Sequence, residues 1–116
     1  MKKFLAIYLG SPAAMDAWKD ADPEVMKQKM AAGMQAWSKW ATDNADAIVD
    51  GFPLGKTKRV DKGGITDIRN EMGAYNIVQT ETHEDAAKLF LNHPHFTLFP
   101  GERIEIMECL PLPKMN

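Results

Sequence analysis

The segment Lys3–Leu9 constrains the fold more than any other, because it is apolar at both of its alternating positions. Phe4, Ala6 and Tyr8 form one set, and the residues between them form the other. A strand that is apolar on both sides belongs inside a sheet that is covered on both faces. The chain has 116 residues, of which 45 % are hydrophobic, enough for one domain with its own core. We expect a single α+β domain over residues 1–116.

A long amphipathic helix is predicted after Asp22. The Asp22 side chain can cap the first free N–H groups, and Pro23 suits the first helical turn. Apolar residues then recur at helical spacing, which predicts about twenty residues of helix with one core-facing stripe. The stripe comprises Met26, Met30, Met34, Trp37 and Ala41, with Gly33 and Trp40 beside it.

Three further strands and a second helix complete the pattern. Residues 47–50, 74–81 and 103–109 are predicted as strands, and a helix is predicted to begin after Thr82 and to end before Pro94. The order is βαββαβ, which is that of a ferredoxin-like sandwich with two helices on one face of a sheet. The other face keeps the remaining apolar side chains of the first strand, so we expect a second copy of the chain to cover it.

This topology places the end of the second strand and the end of the second helix at one rim of the sheet. Asp50 ends the strand, and His93 and His95 follow the helix. A carboxylate beside an imidazole can form a general acid–base pair, because it fixes the tautomer and holds the proton. The alternatives are structural, with Asp50 as a turn former and the histidines as caps of helix carbonyls. Both interpretations remain open at this point.

The same rim is expected to hold a ligand between the sheet and the loops. The residues expected to contact it are Tyr8, Trp37, Trp40, Phe52 and Phe96. Residues 55–72 are polar and contain glycine, which predicts an exposed hairpin or loop insertion. Lys56 in this insertion could attract an anionic group.

Several classes of function are excluded by composition. The net charge of −2 argues against nucleic-acid partners, and no apolar run approaches the ~20 residues that span a bilayer. His93 and His95 with Asp50 could hold a metal ion, but an H-x-H pattern alone is a weak signal, so we predict neither metal nor cofactor. Cys109 is the one cysteine and is predicted to be a buried, inert thiol. With no signal peptide evident, we expect a cytoplasmic protein without membrane partners.

One short motif resembles a known family. The Asp-Gly-Pro-Phe signature of the YCII-related (DGPF-domain) proteins is similar to Asp50-Gly51-Phe52-Pro53-Leu54-Gly55-Lys56. Residues 73–78, the His93-Pro94 pair and residues 104–108 extend the similarity, which covers about residues 3–110. The resemblance implies a dimeric α/β barrel, in which two ferredoxin-like subunits pack sheet against sheet and each has a cleft.

The resemblance also implies an aspartate and a histidine in that cleft, and members are suspected to be enzymes because these two residues recur there. Only the aspartate has a matching position here, Asp50. The Phe52-Pro53 order is inverted relative to the signature, and no histidine precedes His83. His93 or His95 would have to replace a histidine that some members carry in the first half of the chain.

Three hypotheses about function follow. The first is a homodimer that binds a small molecule and could act as a cofactor-independent enzyme, with Asp50 and His93 or His95 as the acid–base pair. The second is a non-catalytic dimeric accessory or interaction domain. The third is a monooxygenase-type barrel that acts on an aromatic substrate without a cofactor.

Overall fold

A four-stranded antiparallel sheet with helices on one of its faces forms the body of the protein. The structure is a computed structural model that describes residues 1–113. In chain order the elements are β1 (Lys2–Leu9), α1 (Pro12–Lys19), α2 (Pro23–Asp43), β2 (Ile48–Pro53), β3 (Thr57–Asp61), β4 (Gly64–Ile68), β5 (Met72–Thr80), α3 (His83–Lys88), α4 (Pro94–Thr97) and β6 (Arg103–Glu108). The sheet order is β2-β5-β1-β6, and β3 and β4 form a separate two-stranded hairpin. The predicted ferredoxin-like α+β fold is confirmed, with β1 central between β5 and β6.

The core lies between the sheet and the helices. On β1 it uses Phe4, Ala6 and Tyr8, all of which are buried. Val78 of β5 stands opposite Phe4 and continues the same face. Phe90, which follows α3, packs onto this layer from the helix side. One of the two apolar sets of β1 therefore makes the core of the chain.

The second sheet face is left open by the chain itself. Leu5 and Ile7 of β1 point to this face and are only half-buried. By register they stand opposite Ile77 and Tyr75 of β5. Phe52 of β2 stands beside Tyr75 on the same face and is 60 % exposed. We call this surface the open sheet face. The sequence predicted that both faces of β1 are covered, but the chain itself covers only the helix side.

Helix α2 begins where the sequence predicted, because Asp22 accepts hydrogen bonds from the N–H groups of Glu24 and Val25. The predicted stripe needs correction at Met34, which is 53 % exposed. Gly33 is the buried residue of the helix, because the ring of Phe99 packs directly against its backbone.

Helix α1 was not predicted. Ser11 caps it by accepting from the N–H of Ala14, and Pro12 occupies its first turn. Trp18 lies on this helix, and it contacts the ring of Phe99 edge-on. Arg69 of the segment between β4 and β5 joins this helix through a two-pronged ion pair with Asp16.

The segment after α3 also differs from the prediction. Residues 94–97 form the short helix α4, which was not predicted. His93 caps the start of α4 instead of the carbonyl groups at the end of the preceding helix. Cys109 lies one residue past β6 and is exposed, so its predicted burial is wrong. Within the described residues, every helix is too short or too polar to cross a bilayer.

Candidate functional site

A buried histidine, His93, lies at the centre of the candidate site. Its position is set by the start of α4, where Nδ1 accepts a hydrogen bond of 2.9 Å from the N–H of His95. The ring is fully buried and meets Trp37 and Trp40 edge-on, each at a centroid distance of 4.5 Å. Because Nδ1 is an acceptor, the neutral ring carries its proton on Nε2.

A chain of hydrogen bonds leads from this imidazole to the second strand. His93 Nε2 lies 3.4 Å from the Tyr8 hydroxyl, which itself donates to Oδ1 of Asn76. The Asn76 Nδ2 group donates to the backbone carbonyl of Asp50 at 3.1 Å. All three hydrogen bonds are donated in the same direction along the chain. The Nε2 proton of His93 is donated to the Tyr8 oxygen, the phenol proton to Asn76 Oδ1, and the Asn76 amide N–H to the Asp50 carbonyl. We call His93, Tyr8 and Asn76 the polar chain.

His95 is a second buried histidine beside the polar chain. Its Nε2 donates to the carbonyl of Leu9 at 2.8 Å, which anchors α4 to the end of β1. The ring meets the Tyr8 ring edge-on at 5.3 Å. Gly101 makes this packing possible, because a Cβ there would overlap the ring and the carbonyl of His95.

Burial keeps the site in its neutral protonation states. Removal from water lowers the pKa of His93 to about 3, and the neighbouring His95 contributes to the decrease. Burial also lowers the pKa of His95, against the opposing effect of the Leu9 and Arg103 backbone. The pKa of Tyr8 is raised by burial. Near pH 7 the site therefore presents a neutral phenol and neutral imidazoles.

Asp50 takes part in this site through its backbone and not through its carboxylate. The carboxylate is exposed and accepts a 2.8 Å hydrogen bond from the N–H of Gly51. A register shift between Ile48 and Asp50 places Asp50 opposite Ile77, on the open sheet face. Within residues 1–113 the carboxylate makes no hydrogen bond or ion pair with a histidine, so the structure does not assemble the acid–base pair that the sequence suggested.

A cavity of about 330 Å³ opens in front of the polar chain, between α2 and the β2–β5 half of the sheet. We call it the β2–β5 cavity. Its wall is mostly apolar and aromatic, with the polar groups of Tyr8, Asn76 and His95 on one side. It is lined by Tyr8, Met15, Met34, Trp37, Gly51, Phe52, Pro53, Gly73, Ala74, Tyr75, Asn76, His95 and Phe99. A second cavity of about 390 Å³ shares Tyr8, His95 and Phe99 and reaches the polar side chains of Lys19 and Arg69.

The other predicted ligand residues divide into three groups. Tyr8 and Trp37 line the β2–β5 cavity, and Phe52, whose side chain stands on the open sheet face, borders the cavity on the edge strand β2. Trp40 packs behind His93, and its indole N–H donates to the carbonyl of Leu89 at 2.7 Å. Phe96 and Lys56 are exposed and contribute to neither of these two cavities.

Two residues of the site were missed from the sequence. Phe99 lies in the segment between α4 and β6, where no periodicity indicates burial. Asn76 did carry a signal, since it shares one alternating face of β5 with Ala74 and Val78 and stands opposite Ala6 in the core. An amide on a core-facing position of a strand needs a partner, and here the partners are Tyr8 and the Asp50 carbonyl.

Gly51 leaves the space that Asn76 occupies, and this predicts a large effect of a small substitution. In Gly51→Ala the new Cβ would overlap the Asn76 amide nitrogen and lie 2.7 Å from the Tyr75 carbonyl oxygen. We expect the free energy of unfolding to fall by about 1–3 kcal/mol, the usual cost of overpacking, as measured by urea denaturation. The matched control is Gly55→Ala, whose Cβ meets nothing within 4 Å. Equal stability of the two variants would contradict the close approach.

Metal ligands are not grouped in the part of the chain that the structure describes. Among residues 1–113, no set of three His, Cys, Asp or Glu side chains is close enough to hold an ion. His93 and His95 already use ring nitrogens in protein hydrogen bonds.

Comparison with known proteins identifies the fold. No family model matches the sequence, and no curated protein matches it. The structure of 5-chloro-2-hydroxyhydroquinone dehydrochlorinase (TftG) from Burkholderia phenoliruptrix AC1100, in complex with 2,5-dihydroxybenzoquinone, is similar with a TM-score of 0.54 and 15 % identity over 90 % of each chain. The protein At3g17210 from Arabidopsis thaliana gives a TM-score of 0.45 and 10 % identity over 100 % of each chain. The first similarity shows that this chain shares the α+β fold of that protein.

Proposed function

We propose that this chain is a homodimeric cytoplasmic protein that binds a small planar aromatic molecule in the β2–β5 cavity. The observation that carries the proposal is the cavity itself. Its volume of about 330 Å³ falls in the range of small-molecule binding sites. Most of its lining is apolar or aromatic, and its polar groups lie on one side. Trp37 and Phe99 offer ring faces or edges for an aromatic ligand. The motif over residues 50–56 further supports a place in the YCII-related family.

The hydrogen bonds within the polar chain determine which donor and acceptor groups a ligand must carry. Tyr8 and Asn76 already satisfy each other, so the groups left for a ligand are one N–H of the Asn76 amide and a lone pair on each of the two oxygens. A matching ligand carries an acceptor and a donor side by side. Adjacent oxygen substituents on an aromatic ring meet this requirement. TftG, which shares the fold, is described as a hydroxyhydroquinone dehydrochlorinase in complex with a dihydroxybenzoquinone, and this chemistry agrees with that class.

The homodimer is supported by the surface that the single chain exposes. Its accessible area is 8441 Å², whereas a compact monomer of this mass exposes about 6,300 Å². The radius of gyration of 16.4 Å likewise exceeds the ~13 Å of a compact domain of about this size. The difference in area is more than the ~800 Å² that each partner buries in a standard interface. The open sheet face, with Leu5, Ile7 and Ile77, supplies the apolar surface for such an interface.

A thermal-shift experiment with a blocked-cavity variant tests the binding site. The probes are catechol and 2,5-dihydroxybenzoquinone, with cyclohexane-1,2-diol as a non-planar match for catechol. We expect the planar probes to raise the melting temperature of the natural protein and to lose that effect in Met34→Trp, which fills the mouth of the cavity. Val25→Trp is the control, because Val25 is exposed on α2 and lies outside the cavity lining. A shift that survives in Met34→Trp would overturn the site.

The remaining hypotheses give separate outcomes. An accessory domain predicts a stable dimer that no aromatic probe stabilises. A monooxygenase-type barrel predicts oxygen uptake with an aromatic substrate, which an oxygen electrode records directly. The contacts of Asp50 do not favour an acid–base role for its carboxylate, since the carboxylate bonds the N–H of Gly51.

A further inference from the structure

The β3–β4 hairpin carries an apolar pair that the chain itself does not cover. Val60 and Ile65 stand directly opposite each other near the tip. They are 75 % and 72 % exposed, among the most exposed large hydrophobic side chains in the described residues. Strand alternation puts Lys58 and Asp67, which form an ion pair at 2.7 Å, on the same hairpin face. We call these four residues the hairpin face.

A two-stranded hairpin gains little stability from its own pairing in water. This one forms five cross-strand pairs, from Thr57–Ile68 to Asp61–Gly64. Its roots are fixed to the sheet by backbone hydrogen bonds of 2.9 Å, from Leu54 N–H to the Gly73 carbonyl and from Gly10 N–H to the Glu71 carbonyl. Both ends of the arm are therefore held at the sheet, and its apolar pair is exposed to solvent.

We propose that the hairpin face docks onto a second copy of this chain. The hairpin follows directly after β2, an edge strand of the sheet, so it begins at the border of the open sheet face on which a second copy would sit. The excess area of about 2,000 Å² is more than twice the ~800 Å² of a standard interface, which leaves surface for a contact beyond the sheet. The inference rests on the proposed homodimer and adds a contact that the sheet face alone does not supply.

The partner is a second copy and not a nucleic acid, because the charges of the hairpin largely neutralise each other. Lys58 pairs with Asp67, and Arg59 lies 3.1 Å from the Asp61 carboxylate. An apolar pair flanked by neutralised charges is the composition of an interface core with a polar rim.

The test is the dissociation constant of the dimer, measured by analytical ultracentrifugation over a dilution series. The double variant Val60→Thr/Ile65→Thr removes apolar surface and keeps residues that favour strands. We expect its dissociation constant to rise about tenfold, a change of about 1.4 kcal/mol in association. Thr66→Lys lies on the opposite face of the hairpin and is the control, expected to stay within about twofold of the natural protein.

A second variant removes the arm altogether. Residues 58–67 are replaced by Asn-Gly, which closes Thr57 onto Ile68 with a two-residue turn. We expect at least the same loss of association, with the helix content unchanged by circular dichroism. If both hairpin variants keep the dissociation constant of the natural protein while Ile7→Lys abolishes the dimer, the docking of the hairpin is overturned. The proposed dimer is then retained. A natural protein that is monomeric at every concentration would overturn both.

Discussion

Replacing Ile7 with lysine is expected to convert the protein into a folded monomer. Ile7 lies at the middle of β1, opposite Tyr75 and Glu105 on the open sheet face. A two-fold interface carries the substitution twice, and each buried ammonium costs about 3 kcal/mol because the neighbouring Glu105 carboxylate is already bonded to Arg103, so the dissociation constant should rise by more than about a thousandfold. Sedimentation velocity at several concentrations measures this directly.

Val25→Lys is the matched control for the dimer. Val25 is an exposed apolar residue on α2, on the helix side of the sheet. The substitution should leave the sedimentation coefficient unchanged. Retention of the dimer in Ile7→Lys would place the interface elsewhere, and dissociation in both variants would show that the effect is not specific to the sheet face.

Acidification is expected to destabilise the fold through His93. The pKa is about 3 in the folded state, against an ordinary value of 6.5. Because the folded pKa is depressed, protons bind the unfolded chain more readily below pH 6.5. Stability is therefore complete above that value and falls as the pH drops towards 3. From pH 7.5 to 5, His93 alone should remove about 2 kcal/mol from the free energy of unfolding.

Urea denaturation at a fixed protein concentration, repeated from pH 5 to 7.5, measures this dependence. In His93→Asn the side-chain oxygen can still cap α4, but the titrating group is absent. The variant should be less stable overall and should have a shallower dependence on pH. An identical slope in the two proteins would show that the pKa of His93 is the same in the folded and unfolded states, contrary to its burial.

The fold could be predicted from the sequence where local chemistry and periodicity agree. The alternation of β1 identified a central strand, and Asp22-Pro23 marked the start of α2. Helix α1 was missed because it is only eight residues long, so its apolar residues Met15 and Trp18 span a single turn and show no repeat. Its cap, Ser11, instead suggested the end of β1.

The candidate site could be predicted only in part, because two of its features depend on long-range geometry. The sequence correctly brought Tyr8 and His95 to one rim of the sheet. The orientation of Asp50 depends on the register shift after Ile48, and nothing in the local sequence encodes that shift. Asn76 was not predicted because it is an uncharged amide inside a strand, whereas the predicted polar residues are ionisable and lie at the ends of elements.

The binding claim is tested most directly by the indole N–H signals of the three tryptophans, observed by NMR on ¹⁵N-labelled protein during titration with catechol. Trp37 lines the β2–β5 cavity, whereas the Trp40 indole is bonded to the Leu89 carbonyl behind it and Trp18 lies outside its lining. We expect a saturable shift of the Trp37 signal, while the Trp40 signal stays in place and that of Trp18 moves less. A Trp37 signal that does not move while another tryptophan responds, or no response at all, would contradict this expectation.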